Sequence, residues 1–292
     1  MVPALRLALA TSGPICGPRP GAAIQCEVTT ALARRTSRLV ISAACCVALF
    51  AGTLDSGTAA AAQRQKVLFF GDSLSFQAGP YLMKDFNPSV TNVQLHLYPG
   101  TALCDWLAEI DNLTRRTAPD VVVLQFIGNH STPCIDRSSD FVTQYGKNLR
   151  SAITQLRSIG VKDIVVDAGP ITPLVKTWST LVAKYRSVVA SFHSRGIIYA
   201  AAADAAVEGP KGSFVMTLQC LPVEVKYDKC SAGSQIRVRA SDDVHFCPVP
   251  IPAEGTRLVA CPVYASGAYR FAKGLAKAVW TLDPATDPYR RN

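Results

Sequence analysis

Short runs of valine and isoleucine, separated by longer amphipathic stretches, constrain this chain more than any other feature. Asp120–Phe126 reads DVVVLQF and Asp163–Asp167 reads DIVVD. Runs this short and this rich in β-branched residues suit strands buried in a sheet. Val67–Phe70 supplies a first strand, Val93–Leu97 a second and Ile197–Ala200 a fifth. Between them the pattern turns helical over Ser75–Lys84, Cys104–Leu113, Ser139–Ser158 and Thr177–Ser194. In the last of these, Leu181, Tyr185, Val188, Val189 and Phe192 share one face. Gly160 and Gly196 stand where helices must stop. This alternation predicts an α/β domain with a parallel sheet and helices on both faces.

The alternation breaks after about residue 205. Lys211–Ala240 is irregular and holds Cys220, Cys230 and two β-like runs, Val223–Tyr227 and Gln235–Val238. It reads as a hairpin excursion pinned by a short disulfide loop. A helix over Ala265–Leu282 follows, with Tyr269, Phe271, Leu275, Ala278 and Val279 largely inward.

The first 62 residues have a different character. Arg34, Arg35 and Arg38 precede an apolar stretch, Leu39–Leu54, which leads through Asp55-Ser56-Gly57-Thr58 into the alanines 59–62. A basic start, an apolar middle and a small-residue end make a signal peptide, with cleavage expected near Ala62. The rival reading is a membrane anchor, for which about 16 apolar residues are few. Residues 1 to about 30 show no periodicity, and a misassigned start codon would account for them. The remaining domain, 63–292, is long enough for one sizeable core. It carries 25 basic and 19 acidic residues, a formal charge of +6. No basic block or nucleic-acid motif accompanies that charge, so no nucleic-acid partner is expected. A mild attraction to anionic cell-envelope polymers is compatible with it.

Six cysteines fall in the mature part: Cys104, Cys134, Cys220, Cys230, Cys247 and Cys261. An even number in an exported chain points to disulfides. No Cys-x-x-Cys pair occurs, so no zinc site is expected, and no cofactor is implied.

Ligands gather at the carboxyl ends of strands in an open parallel sheet. The residues there are Gly71-Asp72-Ser73 after the first strand, Tyr98-Pro99-Gly100 after the second and Gly128-Asn129-His130 after the third. Ser241-Asp242-Asp243-Val244-His245 lies later in the chain. Taken alone, Ser73 reads more readily as a helix N-cap than as a nucleophile, and Gly100 and Asn129 as turn residues. Taken together and in this order, they resemble the SGNH, or GDSL, hydrolase superfamily in its secreted bacterial branch. Gly71-Asp72-Ser73-Leu74 matches the first block of that family, Gly100 the second, Asn129 the third, and Asp242-x-x-His245 the fifth. The third block usually reads Gly-x-Asn-Asp; here Ile127-Gly128-Asn129-His130 moves the glycine and replaces the aspartate.

The resemblance implies a three-layer α/β/α, flavodoxin-like fold around a mostly parallel five-stranded sheet. It implies Ser73 as nucleophile, His245 as general base and Asp242 as its orienter, with Asp243 as the competing candidate for that role. It implies an oxyanion hole made by the backbone N–H groups of Ser73 and Gly100 and the Asn129 side-chain amide. His130 is expected at the rim rather than as the base. Two loops bordering one site would be tied by Cys104–Cys134; Cys220–Cys230 and Cys247–Cys261 are the remaining pairs expected.

The activity implied is hydrolysis of short-chain acyl esters, acetyl-type in particular, on a small molecule or a glycan, by a secreted or envelope-associated monomer. Two alternatives stay open: an O-acyltransferase on envelope glycans using the same triad, and a non-catalytic glycan-binding relative. An α/β-hydrolase lipase is disfavoured, because Ser75 stands where its Gly-x-Ser-x-Gly elbow needs the last glycine.

Overall fold

The computed structural model describes residues 64–136, 140–173, 178–249, 261–284 and 287–288. The export segment expected at 1–62 lies outside them. Five strands form one parallel sheet: β1 (Gln65–Gly71), β2 (Thr91–Leu97), β3 (Val121–Gln125), β4 (Asp163–Asp167) and β5 (Ile197–Tyr199). The spatial order is β2-β1-β3-β4-β5. That is the doubly wound flavodoxin-like order, whose switch point lies between β1 and β3.

Side chains alternate across this sheet with period two. Leu68, Phe70, Val122, Leu124, Ile164 and Val166 face one way and pack on Ile110, Leu113, Leu149, Ile153, Leu181 and Tyr185. Those residues come from α2 (Leu107–Thr117), α3 (Phe141–Ile159) and α4 (Trp178–Ser191). Val67, Phe69, Val121, Val123 and Val165 face the other way, against Leu74, Leu82, Ala203, Phe271, Leu275 and Val279. These belong to α1 (Ser73–Asp85), α5 (Ala201–Ala205) and α7 (Ser266–Leu282). The result is the three-layer α/β/α arrangement.

The strand register decides where the chemistry can gather. Gly71 pairs with Leu97 on one side and Gln125 on the other, and Gln125 pairs with Asp167. Four strands therefore end at one level. The segments that follow them, 72–73, 98–101, 126–130 and 168–171, leave the sheet along the same edge.

The excursion differs from its expected form. Val223–Tyr227 does not form a strand; Pro222–Lys226 is a short helix, α6. Pro222 at the first helical position fixes a helical φ, and the Glu224 carboxylate accepts the Leu221 N–H at 2.8 Å, which caps the turn. Those two local devices outweigh the β propensity of Val223 and Val225. The hairpin is made instead by β6 (Thr217–Gln219) and β7 (Gln235–Arg237), which pair antiparallel. The helix expected at Cys104–Leu113 is also divided, into a 3₁₀ turn at Leu103–Trp106 followed by α2. Among the described residues no helix is long and apolar enough to cross a membrane.

One buried ion pair ties the excursion to the main domain. Arg270 on α7 donates to Glu224 through Nη2 at 2.5 Å and to the Gln219 carbonyl at 2.8 Å. Ser266 and Tyr264 hydroxyls also donate to Glu224. Burial alone would raise the Glu224 carboxyl, but Arg270, the Leu221 N–H and Ser266 hold it below its ordinary range. Arg270→Met strands that carboxylate in the interior and is expected to lower stability by about 3–5 kcal/mol. The double variant with Glu224→Gln should recover part of the loss. Urea midpoints of the two single variants and the double variant measure both effects.

Candidate active site

The first question at this edge is which residue caps α1. It is Asp72, in extended conformation, whose Oδ1 accepts the Leu74 N–H at 3.1 Å. Ser73 is the first helical residue, so its hydroxyl is not spent on capping. Instead Ser73 Oγ lies 2.9 Å from His245 Nε2. On the far side of the ring, His245 Nδ1 lies 2.6 Å from Asp242 Oδ2. The other Asp242 oxygen, Oδ1, accepts the backbone N–H groups of Val244 and His245 at 3.0 and 2.9 Å. Burial alone would raise this carboxyl, but the bonds from His245 and Val244 hold it below the ordinary aspartate range. Ser73, His245 and Asp242 thus form one continuous hydrogen-bonded chain. Asp243, the competing candidate, sits in the turn with φ +62° and makes no contact with the imidazole among the described hydrogen bonds.

Such a chain has a definite capacity. An ionised Asp242 fixes the proton on Nδ1 and leaves Nε2 free to accept the serine proton. The imidazolium formed by that transfer is stabilised by the same carboxylate.

The oxyanion candidates come from three loops. The Ser73 N–H, at the first position of α1, has no partner one turn back within the helix, and the Gly100 N–H makes no backbone bond among the described residues. Gly100 has φ +77° within the turn after β2. Thr101 braces that turn: its hydroxyl donates to the Tyr98 carbonyl at 2.8 Å and accepts Trp106 Nε1 at 2.9 Å. Asn129 lies beside this turn, and its Nδ2 donates to the Thr101 carbonyl at 2.9 Å and to Asp72 Oδ2 at 3.4 Å. Both amide protons therefore have acceptors here, and the Asp72 contact is the long one. The altered third block is accommodated by its glycine. Gly128 takes φ +97° and packs between Phe141 and Leu181, where a Cβ would meet both side chains at 3.0 Å. Tyr145 completes the loop by donating its hydroxyl to the Asn129 carbonyl at 2.7 Å. His130 lies at the rim, edge-on to Phe141 with ring centroids 6.0 Å apart.

Asp72 joins these pieces. It is fully buried, and its Oδ2 accepts the Ile127 N–H at 2.6 Å as well as the Asn129 amide. Burial pushes its carboxyl up to about 6, against the lowering effect of the Ile127 and Leu74 N–H groups.

All six cysteines of the described domain are paired: Cys104–Cys134, Cys220–Cys230 and Cys247–Cys261. The first bridge joins the loop after Gly100 to the loop after Asn129. Two buried residues beside the site were assigned no role from the sequence. Gln77 and Arg239 both contact the His245 loop. The only signal for Gln77 was its position, four residues after Ser73 on the same helical face; for Arg239 it was its place at the head of the stretch RASDDVHFCP that holds Asp242 and His245.

No protein-family profile matches the chain, and no curated protein matches it. Solved structures similar to it include TesA, with 14% identity, a TM-score of 0.46 and coverage of 75% of this chain and 99% of that one. An acetylxylan esterase, Axe2 from Geobacillus stearothermophilus, is 15% identical over 76% of this chain and 95% of its own, with a TM-score of 0.43. LAE5, an alpha/beta hydrolase enzyme from the metagenome of Lake Arreo, is 12% identical over 76% and 98%, with a TM-score of 0.47. The fold described above rests on strand order and register rather than on these likenesses.

Two measurements follow from the site's construction. Between about pH 4 and pH 6 the folded state binds a proton at Asp72 that the unfolded chain, with an ordinary carboxyl, does not. The contribution of this group to stability therefore falls as pH rises through that window and is level above it. The effect is on the order of 3 kcal/mol. Stability measured from urea midpoints should fall less steeply across this window in Asp72→Asn than in the wild type, where Asp72 adds to the contributions of Asp167 and Asp204. Separately, the Cys104–Cys134 bridge closes a span of 30 residues. Replacing both cysteines with serine is expected to cost about 3–4 kcal/mol in denaturant unfolding.

Proposed function

We propose that this chain is an exported serine ester hydrolase of the SGNH type, acting on short, acetyl-type acyl esters of a small molecule or a glycan. The observation that carries this reading is the hydrogen-bonded chain from Asp242 through His245 to Ser73. A hydroxyl is a weak nucleophile at neutral pH and needs a base in contact with it. His245 Nε2 takes the Ser73 proton as Oγ attacks the ester carbonyl carbon. The negative charge that develops on the carbonyl oxygen is met by the N–H groups of Ser73 and Gly100. Asn129 joins them by releasing its long contact with Asp72 while keeping its bond to Thr101. When the intermediate collapses, the imidazolium returns its proton to the departing alcohol, leaving an acyl group on Ser73. Water, activated by the same imidazole, then releases the acid.

The placement of the Ser73 and Gly100 N–H groups at the strand ends supports this reading, since backbone donors already in place cost no reorganisation when charge appears. Export is favoured by three disulfides in one domain and by the sequence of residues 1–62. Association with the cell envelope and a monomeric state belong to the same proposal.

The test is hydrolysis of p-nitrophenyl esters, from acetate upward, by residues 63–292. Activity should be highest with the shortest acyl groups. It should fall at least about 10³-fold in Ser73→Ala and roughly 10²–10³-fold in Asn129→Ala. Equal, negligible rates in the wild type and Ser73→Ala would overturn the esterase reading.

A further inference from the structure

The loop that carries His245 is held in an unusual way. Its four consecutive backbone N–H groups, from Val244 to Cys247, end on only two oxygen atoms. Val244 and His245 donate to Asp242 Oδ1, within the loop itself. Phe246 and Cys247 donate to Gln77 Oε1 at 2.7 and 3.1 Å. Two donors converging on one atom require an acceptor, which fixes the orientation of the Gln77 amide. Gln77 is buried, with 4% of its surface exposed, and it stands on α1 exactly one helical step of four residues beyond Ser73. Residues at that spacing lie on the same helical face. A single turn of one helix therefore carries the Ser73 hydroxyl and the peg from which the His245 segment hangs.

The opposite side of the loop is held by Arg239. This side chain is completely buried. Its Nη1 donates to the Val244 carbonyl and its Nη2 to the Ile171 carbonyl, each at 3.3 Å. Its guanidinium also lies over the Phe246 ring, 5.2 Å from the centroid. Ala240 N–H closes the turn on the His245 carbonyl at 2.7 Å. The residues on both sides of His245 are thus fixed, while the ring's hydrogen bonds among the described residues run to Asp242 and Ser73.

We propose that Gln77 is a positioning residue for His245, setting the separation between imidazole and nucleophile, with Arg239 bracing the loop from behind. This rests on the esterase reading for its kinetic consequences, and it goes beyond the triad by naming what holds the triad in register. The physical reason is geometric. Proton transfer between Ser73 and His245 needs a contact of hydrogen-bond length, and a misplacement of about 1 Å can cost 10²-fold in rate. Without the Gln77 oxygen, two buried N–H groups lose their acceptor, and the loop must move to satisfy them elsewhere.

The experiment compares wild type, Gln77→Met and Gln77→Glu. Methionine keeps the length and removes the acceptor; glutamate keeps an acceptor oxygen at the same place. Each protein is assayed with p-nitrophenyl acetate and, independently, for the rate at which a fluorophosphonate labels Ser73. Labelling requires an activated serine but no natural substrate. Folded fraction is followed by circular dichroism at the assay temperature. In Gln77→Met, kcat and the labelling rate should fall about 10²-fold with KM within about twofold of wild type, and Gln77→Glu should recover most of both. Rates per folded molecule in Gln77→Met that match wild type would overturn the proposal, as would equal losses in the two variants. If wild-type Ser73 is labelled but no ester is hydrolysed, the esterase reading fails, and the labelling rates alone decide the role of Gln77. If wild-type Ser73 is neither labelled nor active, both fall.

Discussion

A carboxylate placed in a protein interior must find donors or lose its charge. Asp72 finds three: the Leu74 N–H that begins α1, the Ile127 N–H at the end of β3 and the Asn129 amide. Because Ile127 lies 55 residues from Asp72 in sequence, satisfying one side chain docks the β1–α1 turn against the β3 loop. The same bond to Leu74 relieves Ser73 of capping. The position of the serine hydroxyl, the start of α1 and the location of Asn129 all depend on this one buried group. Its environment holds the carboxyl at about 6, so it stays largely ionised near neutrality and retains its full acceptor capacity.

Around this hub, the edge of the sheet is assembled from segments that each have little structure of their own. The Gly100 turn is held by Thr101 and Trp106, the Asn129 loop by Tyr145 and by the bridge to Cys104, and the His245 loop by Gln77 and Arg239. These bonds add to the apolar anchoring of the same loops, by Gly128 between Phe141 and Leu181 and by the buried Phe246. The hydrophobic layers on both faces fix the strands, but a strand ends where its ladder ends, and beyond that point polar bonds and disulfides must do the positioning. This explains why buried polar residues such as Asp72, Gln77 and Arg239 stand beside the candidate site.

Much of the architecture was legible in the chain. The valine-rich runs could be read as strands because a sheet covered on both faces tolerates no polar alternation. The helices between them could be read from their apolar stripes. Ser73, Asp242 and His245 were legible because their spacing resembles a known family, and the structure brings them within hydrogen-bond reach. Other features were not. Val223–Tyr227 looked like a strand because local propensity favours it, yet Pro222 and Glu224 turn it into a helix. The amide of Asn129 was legible as a residue type, but its engagement with Thr101 and Asp72 was not, because those partners lie 28 and 57 residues away.

The sequence by itself determined the order of the five sheet strands and of the long helices between them, because hydrophobic period is a local property that each segment carries alone. It also determined which residue types stand at the strand ends. Only the tertiary structure decided that Asp72 rather than Ser73 caps α1 and that Gln77 receives the His245 loop. These are choices between equivalent polar groups a residue or a few apart. They are settled by burial and by donors arriving from distant segments, and neither exists until the sheet has brought its strand ends to one level.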